Sequence, residues 1–300
     1  LTFSAPALPS SPSSPSPRQP LRFRSLASGS AANATLVQGC DGQGAPMTVL
    51  IDCGLTQRQL AARLQSNGLQ LRDLQAIFVT HEHSDHVGPS FELARSLGIP
   101  IWSSYGTWQG AGCPDAGGLW RVACDGQPIA WGAMQATPFT VPHDAREPLQ
   151  LCIRQGQARL ALLTDLGHVT PHALAHAAHC QALLLEFNHE PELLQQSRYP
   201  PFLKRRIAGP RGHLSNAAAA QLLAQVLHAG LRHVVAGHLS QQNNCPQRTL
   251  QWMRQAVGEH PVALHIATQE QGCDWIELDA GCAQQAEVAS IHAELAGAQA

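Results

Sequence analysis

One lysine, Lys204, stands in a chain of 300 residues, and only 13% of those residues are charged. The formal net charge of −2 gives no overall attraction to nucleic acid, although it leaves room for a local basic site. No stretch approaches the roughly 20 apolar residues of a membrane span, so no membrane partner is expected. The nine cysteines are odd in number and include no Cys-x-x-Cys pair. With 44% hydrophobic residues available for a core, a disulfide framework is not expected. Most of the thiols read as small core residues in a reducing, cytoplasmic compartment. The first 20 residues lack a charged segment followed by an apolar one, so they do not resemble a signal peptide. Their Ser/Pro-rich composition reads as a disordered extension. The chain begins with Leu rather than Met, as a fragment or a misplaced start would. Residues 21–283 are expected to form one large domain, and the Ala/Gln-rich residues 284–300 a peripheral tail.

Histidine, in contrast, is plentiful at 16 residues. Residues 80–88 read Thr-His-Glu-His-Ser-Asp-His-Val-Gly, which places His81, His83, Asp85 and His86 within six residues. An apolar run, Ala76-Ile77-Phe78-Val79, precedes them and reads as a buried strand. On an extended segment His81 and His83 point the same way, because side chains repeat every second residue. Asp85 and His86 fall where the chain turns toward a helix, close to a neighbouring point in space. The segment is suited to two adjacent metal ions rather than one.

The same pattern of apolar strand and polar end recurs along the chain. Strands are expected at 21–26, 34–37, 47–51, 74–80, 100–103, 134–141, 149–154, 159–164, 182–187, 233–236 and 262–267. Turn signals separate the group from 100 to 164, as in an antiparallel sheet. Helices are expected from the Thr56 cap to Leu64, from Ser84 or Asp85 to Gly98, at 172–179, from the Ser215 cap to Ala229, and at 246–257. This order suggests two sheets packed together with helices outside. Three further strand ends carry a potential ligand: Val141-Pro142-His143, Leu163-Thr164-Asp165 and Ala236-Gly237-His238. Asp52 also follows a strand and is a candidate partner for a ligating histidine. His168, three residues past Asp165, could also support the site or face substrate. His172, His176 and His179 read as a partly exposed helix face rather than as ligands.

The series His81-x-His83-x-Asp85-His86, His143, Asp165, His238 resembles the metallo-β-lactamase superfamily over residues 21–277. The resemblance implies an α/β fold, the four-layer αβ/βα sandwich, with a dinuclear site at one edge of the sheets. It implies two divalent ions, zinc or manganese. His81, His83 and His143 would hold one ion and Asp85, His86 and His238 the other, with Asp165 between them. Imidazole and carboxylate suit either metal. A hydroxide bridging the pair would be the nucleophile, and Asp85 could hold or accept its proton.

Residues 198–211 contain five basic residues and no acidic one. The strings VPHDAREP, LLTDLGHVTPH, LLLEFNHE, LKRRI, GHLSN and VVAGHLSQQNN resemble the YycJ (also called WalJ) branch of that superfamily. The stretch SLASGSAANATLV is similar as well, but Ala31-Ala32 stand where the branch has a second Gly and often a Lys. This resemblance implies a bacterial cytoplasmic 5′-to-3′ DNA exonuclease, related to ribonucleases Z and J. His213 would face the scissile phosphate, oriented by Glu186 or Asn188. Ser28, Ser30, Asn33, Lys204, Arg205, Arg211 and Ser215 are candidate substrate contacts. The helix opening after Ser215 offers N–H groups that favour an anion. A ribonuclease Z-like RNA processor, a glyoxalase II-type thioesterase and a metal-stabilised regulatory binding module are the alternatives. The basic segment and Gly212-His213-Leu214-Ser215 disfavour the thioesterase, and a complete ligand set disfavours the binding module.

Overall fold

A computed structural model describes residues 19–278. The expected N-terminal extension, apart from residues 19 and 20, and the expected tail at 284–300 lie outside the described residues. Strands β1 (Leu21–Ala27), β2 (Ala34–Cys40), β3 (Pro46–Ile51), β4 (Ala76–Phe78), β5 (Ile101–Ser103) and β6 (Trp120–Val122) lie in one sheet. Strands β7 (Ile129–Trp131), β8 (Met134–Thr140), β9 (Leu149–Gln155), β10 (Ala158–Leu163), β11 (Ala182–Glu186), β12 (His233–Gly237) and β13 (Ala263–Ile266) form a second. Strand β14 (Ile276–Leu278) returns to the first sheet and pairs antiparallel with β1. The orders are β14-β1-β2-β3-β4-β5-β6 and β13-β12-β11-β10-β9-β8-β7.

The helices are α1 (Gln57–Gln65), α2 (Ser84–Val87), α3 (Ser90–Leu97), α4 (Tyr105–Gly110), α5 (Pro171–Ala177), α6 (Pro191–Gln196), α7 (Pro201–Ile207), α8 (Asn216–Val226) and α9 (Pro246–Val257). Strand alternation sends Phe23, Val37, Val49 and Phe78 inward to meet Leu151, Leu160, Leu162 and Leu184 from the other sheet. The opposite faces are covered by helices. Leu60 and Leu64 of α1 and Phe91, Leu93 and Ala94 of α3 pack over Leu36, Leu50 and Ile77. Residues of α5, α8 and α9 pack over Leu163, Leu183, Leu185 and Val234. The result is the four-layer αβ/βα sandwich. Among the described residues no helix is long and apolar enough to cross a membrane.

Two expectations change. The segment at 100–103 does not join an antiparallel group: β5 lies in the first sheet and pairs parallel with β4, since α2 and α3 form the crossover between them. The helix expected from Ser84 to Gly98 is two helices, broken at Gly88-Pro89. Gly88 has φ +35, and a Cβ there would lie 2.0 Å from Cys53 O. Close approach of the 52–54 turn therefore fixes the break, and only glycine fits it. Elements α4, α6, α7, β6, β7 and β14 are short and carry weak periodicity, which is why the pattern did not place them.

Candidate metal centre

The strand ends β3, β4, β10 and β12, the turn after β8 and the start of α2 meet at one edge of the sandwich. The nitrogens of His81, His83 and His143 converge there. His83 Nδ1 lies 3.1 Å from His81 Nε2 and 3.2 Å from His143 Nε2. Ligand atoms around one tetrahedral ion, at about 2.0–2.1 Å from it, stand about 3.3 Å apart. A second trio is beside the first. Asp85 Oδ2 lies 3.5 Å from His86 Nε2 and 3.6 Å from His238 Nε2. Asp165 reaches both trios, 3.7 Å from His143 Nε2, 3.1 Å from His86 Nε2 and 3.4 Å from His238 Nε2. Among the described residues, the buried Asp165 Oδ2 and His238 Nε2 have no hydrogen-bond partner, as donors aimed at a cation would not. The residue types and the orphaned atoms fit a site for divalent metal.

The backbone is held in unusual conformations to achieve this. Asp52, Asp165 and His238 all have positive φ, +59, +56 and +55. Such residues cost of order 1–3 kcal/mol each and persist only where surroundings over-determine them. Here each sits at a strand end and turns its side chain back across the sheet edge. A Cβ at Gly54 would meet Asp85 O at 1.9 Å, so glycine lets the Asp85 turn come close.

Partners around the cluster fix each ring. Asp52 Oδ2 lies 2.8 Å from His86 Nδ1, and Asp52 also accepts from Thr80 N and Oγ1. His143 Nδ1 donates to Gly212 O at 3.1 Å, which leaves Nε2 free to ligate. Fully buried Glu186 places Oε1 3.1 Å from His238 Nδ1 and 2.8 Å from His213 Nδ1. Its other oxygen accepts from Leu166 N and Leu214 N. Asn188 donates to His238 O at 2.9 Å rather than to His213. His168 is exposed and bonds Pro210 O, away from the cluster.

The expected substrate contacts divide. Ser30 lines a cavity of about 340 Å³ over the cluster, together with Asp144, Tyr199, Arg206, His213 and Ser240. Ser28 is buried and accepts from His238 N. Asn33 bonds Asp85 and lies 3.0 Å from His86 Nε2, so it contacts two of the candidate ligands. Ser215 caps α8 through Ala218 N. Lys204 donates to Gln195 O, and neither Arg205 nor Arg211 lines the cavity. The basic side chain that does is Arg206, whose Nε donates to Asp144. Sequence reading missed both members of this pair. Asp144 follows a ligand directly, which was a usable signal; the phase of α7 was not available.

The electrostatics separate the two trios. Burial and the charge of His86 hold His81 well below the ordinary imidazole range, and burial lowers His143. Burial opposes charge on His238, but Asp165, Asp85 and Glu186 outweigh it and lift the ring to about 10. Burial likewise opposes charge on His86, yet Asp165 and Asp52 raise it well above the usual value. At neutral pH His81 and His143 thus offer neutral nitrogens, whereas His86 and His238 carry protons that a metal would have to displace. Titration calorimetry at about pH 7.5, in two buffers of different ionisation enthalpy, is expected to show protons released on loading. Apparent affinity should climb as pH rises toward the value of His238. Loading without proton release would contradict this distribution of charge.

Residues 47–266 match the family described as the beta-lactamase superfamily domain. Exodeoxyribonuclease YycJ of Bacillus anthracis is 33% identical over 245 residues, 80% of this chain and 90% of the relative. The chain belongs to the metallo-β-lactamase superfamily. Within it, similarity extends to exodeoxyribonuclease WalJ of Streptococcus pneumoniae, 30% identical over 74% of this chain and 83% of the relative. Among solved structures, the metallo-β-lactamase fold protein YhfI from Bacillus subtilis superposes with a TM-score of 0.67. It shares 15% identity, with 87% of this chain and all of that one covered, and so speaks to the fold. As a metallo-β-lactamase superfamily member with this ligand cluster, the chain is a hydrolase.

Proposed function

We propose that this hydrolase is a two-metal phosphodiesterase that removes nucleotides from DNA in the 5′-to-3′ direction. His81, His83 and His143 would hold one ion, Asp85, His86 and His238 the other, and Asp165 would lie between them. Zinc and manganese both suit these donors. When bound, the ions would supply an activated water and offset charge on the phosphate. The observation that carries the reading is the Glu186–His213 pair. It sets an imidazole, gripped at Nδ1, against the ligand cluster, with ring centroids 5.1 Å from His238 and 5.3 Å from His143.

Held through Nδ1, His213 turns Nε2 toward the cavity. As the bond from phosphorus to the 3′ oxygen breaks, His213 gives a proton from Nε2 to that oxygen. Asp85 takes up the proton of the attacking water. Arg206, steered by Asp144, receives a phosphate oxygen of the entering strand. The exodeoxyribonuclease names of both curated relatives support DNA as substrate.

Arg206 is about half exposed, so its phosphate contact is worth about 1 kcal/mol rather than the value of a buried one. Arg206→Ala is expected to raise KM for DNA several-fold with a smaller change in kcat. Lys204→Ala, whose ammonium is bonded to Gln195 O, should change KM much less. Equal effects of the two variants would remove Arg206 from its role. The function itself is tested on three substrates: end-labelled DNA, a precursor tRNA and a thioester. Shortening of DNA from the 5′ end is the expected result. Cleavage of the tRNA or thioester alone would overturn the proposal.

A further inference from the structure

A second group of ligand-type side chains lies outside the cavity. Asp125, in the turn after β6, and His172 and His176 of α5 each bring one potential ligand atom within 4.8 Å of the others. The histidines are one helical turn apart, the spacing that puts two imidazoles on one face. Sequence reading grouped them with His179, but that ring turns away and contacts His228, with centroids 5.8 Å apart. Asp125 takes its place, from 47 residues upstream of His172.

The geometry is prepared for an ion. His172 Nε2 lies 3.1 Å from Asp125 Oδ1, close to the separation of about 3.3 Å between ligands of one tetrahedral zinc. Thr140 Oγ1 donates to Asp125 Oδ2 at 3.2 Å and orients the carboxylate. The ring of His176 lies flat on Phe139, centroids 4.4 Å apart and planes within 4°, which fixes its plane. Burial and the neighbouring His172 lower the His176 pKa, which favours the neutral form that ligates. His172 and Asp125 remain 45% and 40% exposed, so an ion would have open access and water could complete its shell.

We propose that Asp125, His172 and His176 form a separate, surface site for a divalent transition metal ion, with zinc the best match to two imidazoles and one carboxylate. The bound ion ties the turn after β6 to α5 and so clips the edge of the second sheet, where β7 is the last strand.

The test uses the whole chain without a histidine tag, stripped by chelator, dialysed against excess zinc and counted by mass spectrometry of the metal. The wild type is expected to hold one zinc more per chain than the triple variant Asp125→Asn, His172→Gln, His176→Gln. The variant should keep its hydrolase activity, and Asp165→Ala should retain this outer ion while losing at least one ion of the central cluster. The difference is read between variants, so it holds whatever number the central cluster binds. If the triple variant does not fold, the single exposed substitution His172→Gln gives the same reading. Equal zinc counts in wild type and variant would overturn the proposal.

Discussion

His213→Ala is expected to lower turnover on DNA by about 10²–10⁴-fold while the metal content stays unchanged. The imidazole is 21% exposed; its Nδ1 bonds Glu186 and lies 3.5 Å from Asp165 Oδ1, and since the ring is not itself one of the seven proposed ligands, its removal leaves them in place. The proton-donor role proposed for it makes a second, sharper prediction. A phosphodiester with a good leaving group, such as a nitrophenyl ester, needs no proton on the departing oxygen. The variant should therefore lose far less activity on that ester than on DNA. An equal loss on both would mean that His213 stabilises charge on phosphorus oxygens instead. Glu186→Gln is expected to weaken the same step, because a neutral amide grips Nδ1 of His213 less firmly than the carboxylate does. Burial works against ionised Glu186, but His213 and His238 outweigh it and lower the carboxyl to about 2, so it is charged at neutral pH.

Asp165→Ala should have the other large effect, through the metals themselves. Asp165 is 2% exposed and lies within 3.1–3.7 Å of nitrogens from His86, His238 and His143. Burial opposes its charge, yet His238 and His86 hold it well below the ordinary carboxylate range. Without it, the second trio keeps only one carboxylate, Asp85, to offset a divalent ion. Metal content measured after gel filtration is expected to fall by at least one ion per chain, and hydrolysis with it, by on the order of 10²-fold or more. Full occupancy in the variant would refute the placement of Asp165 between two ions.

Much of this arrangement was legible because the proposed ligands His81, His143, Asp165 and His238 each follow closely on a strand. The runs before Thr80, Thr164 and Gly237 are hydrophobic on both faces, which fixes them inside the sandwich and their last residues at its edge. The turn of His143 follows β8 in the same way. What lay hidden depends on contacts between distant segments. Glu186 closes an apolar strand, and its partners His213 and His238 come 27 and 52 residues later. No local pattern says which histidine it will meet. Asn188 and Glu186 were equal candidates to orient His213, and the two-residue difference between them decides the matter. On α7 a run of three basic residues gave no phase, so the one that faces the cavity could not be chosen. The positive φ of Asp52, Asp165 and His238 is a tertiary demand that intrinsic preference opposes.

The central claim is that this edge cluster hydrolyses DNA ends with two ions in place. Rate on 5′-labelled DNA, measured as manganese or zinc is titrated into the stripped protein, tests it most directly. The account predicts little activity at one equivalent in the central cluster, full activity as the second fills, and labelled mononucleotide as the first product. Full activity with one ion, or none with both bound, would contradict it.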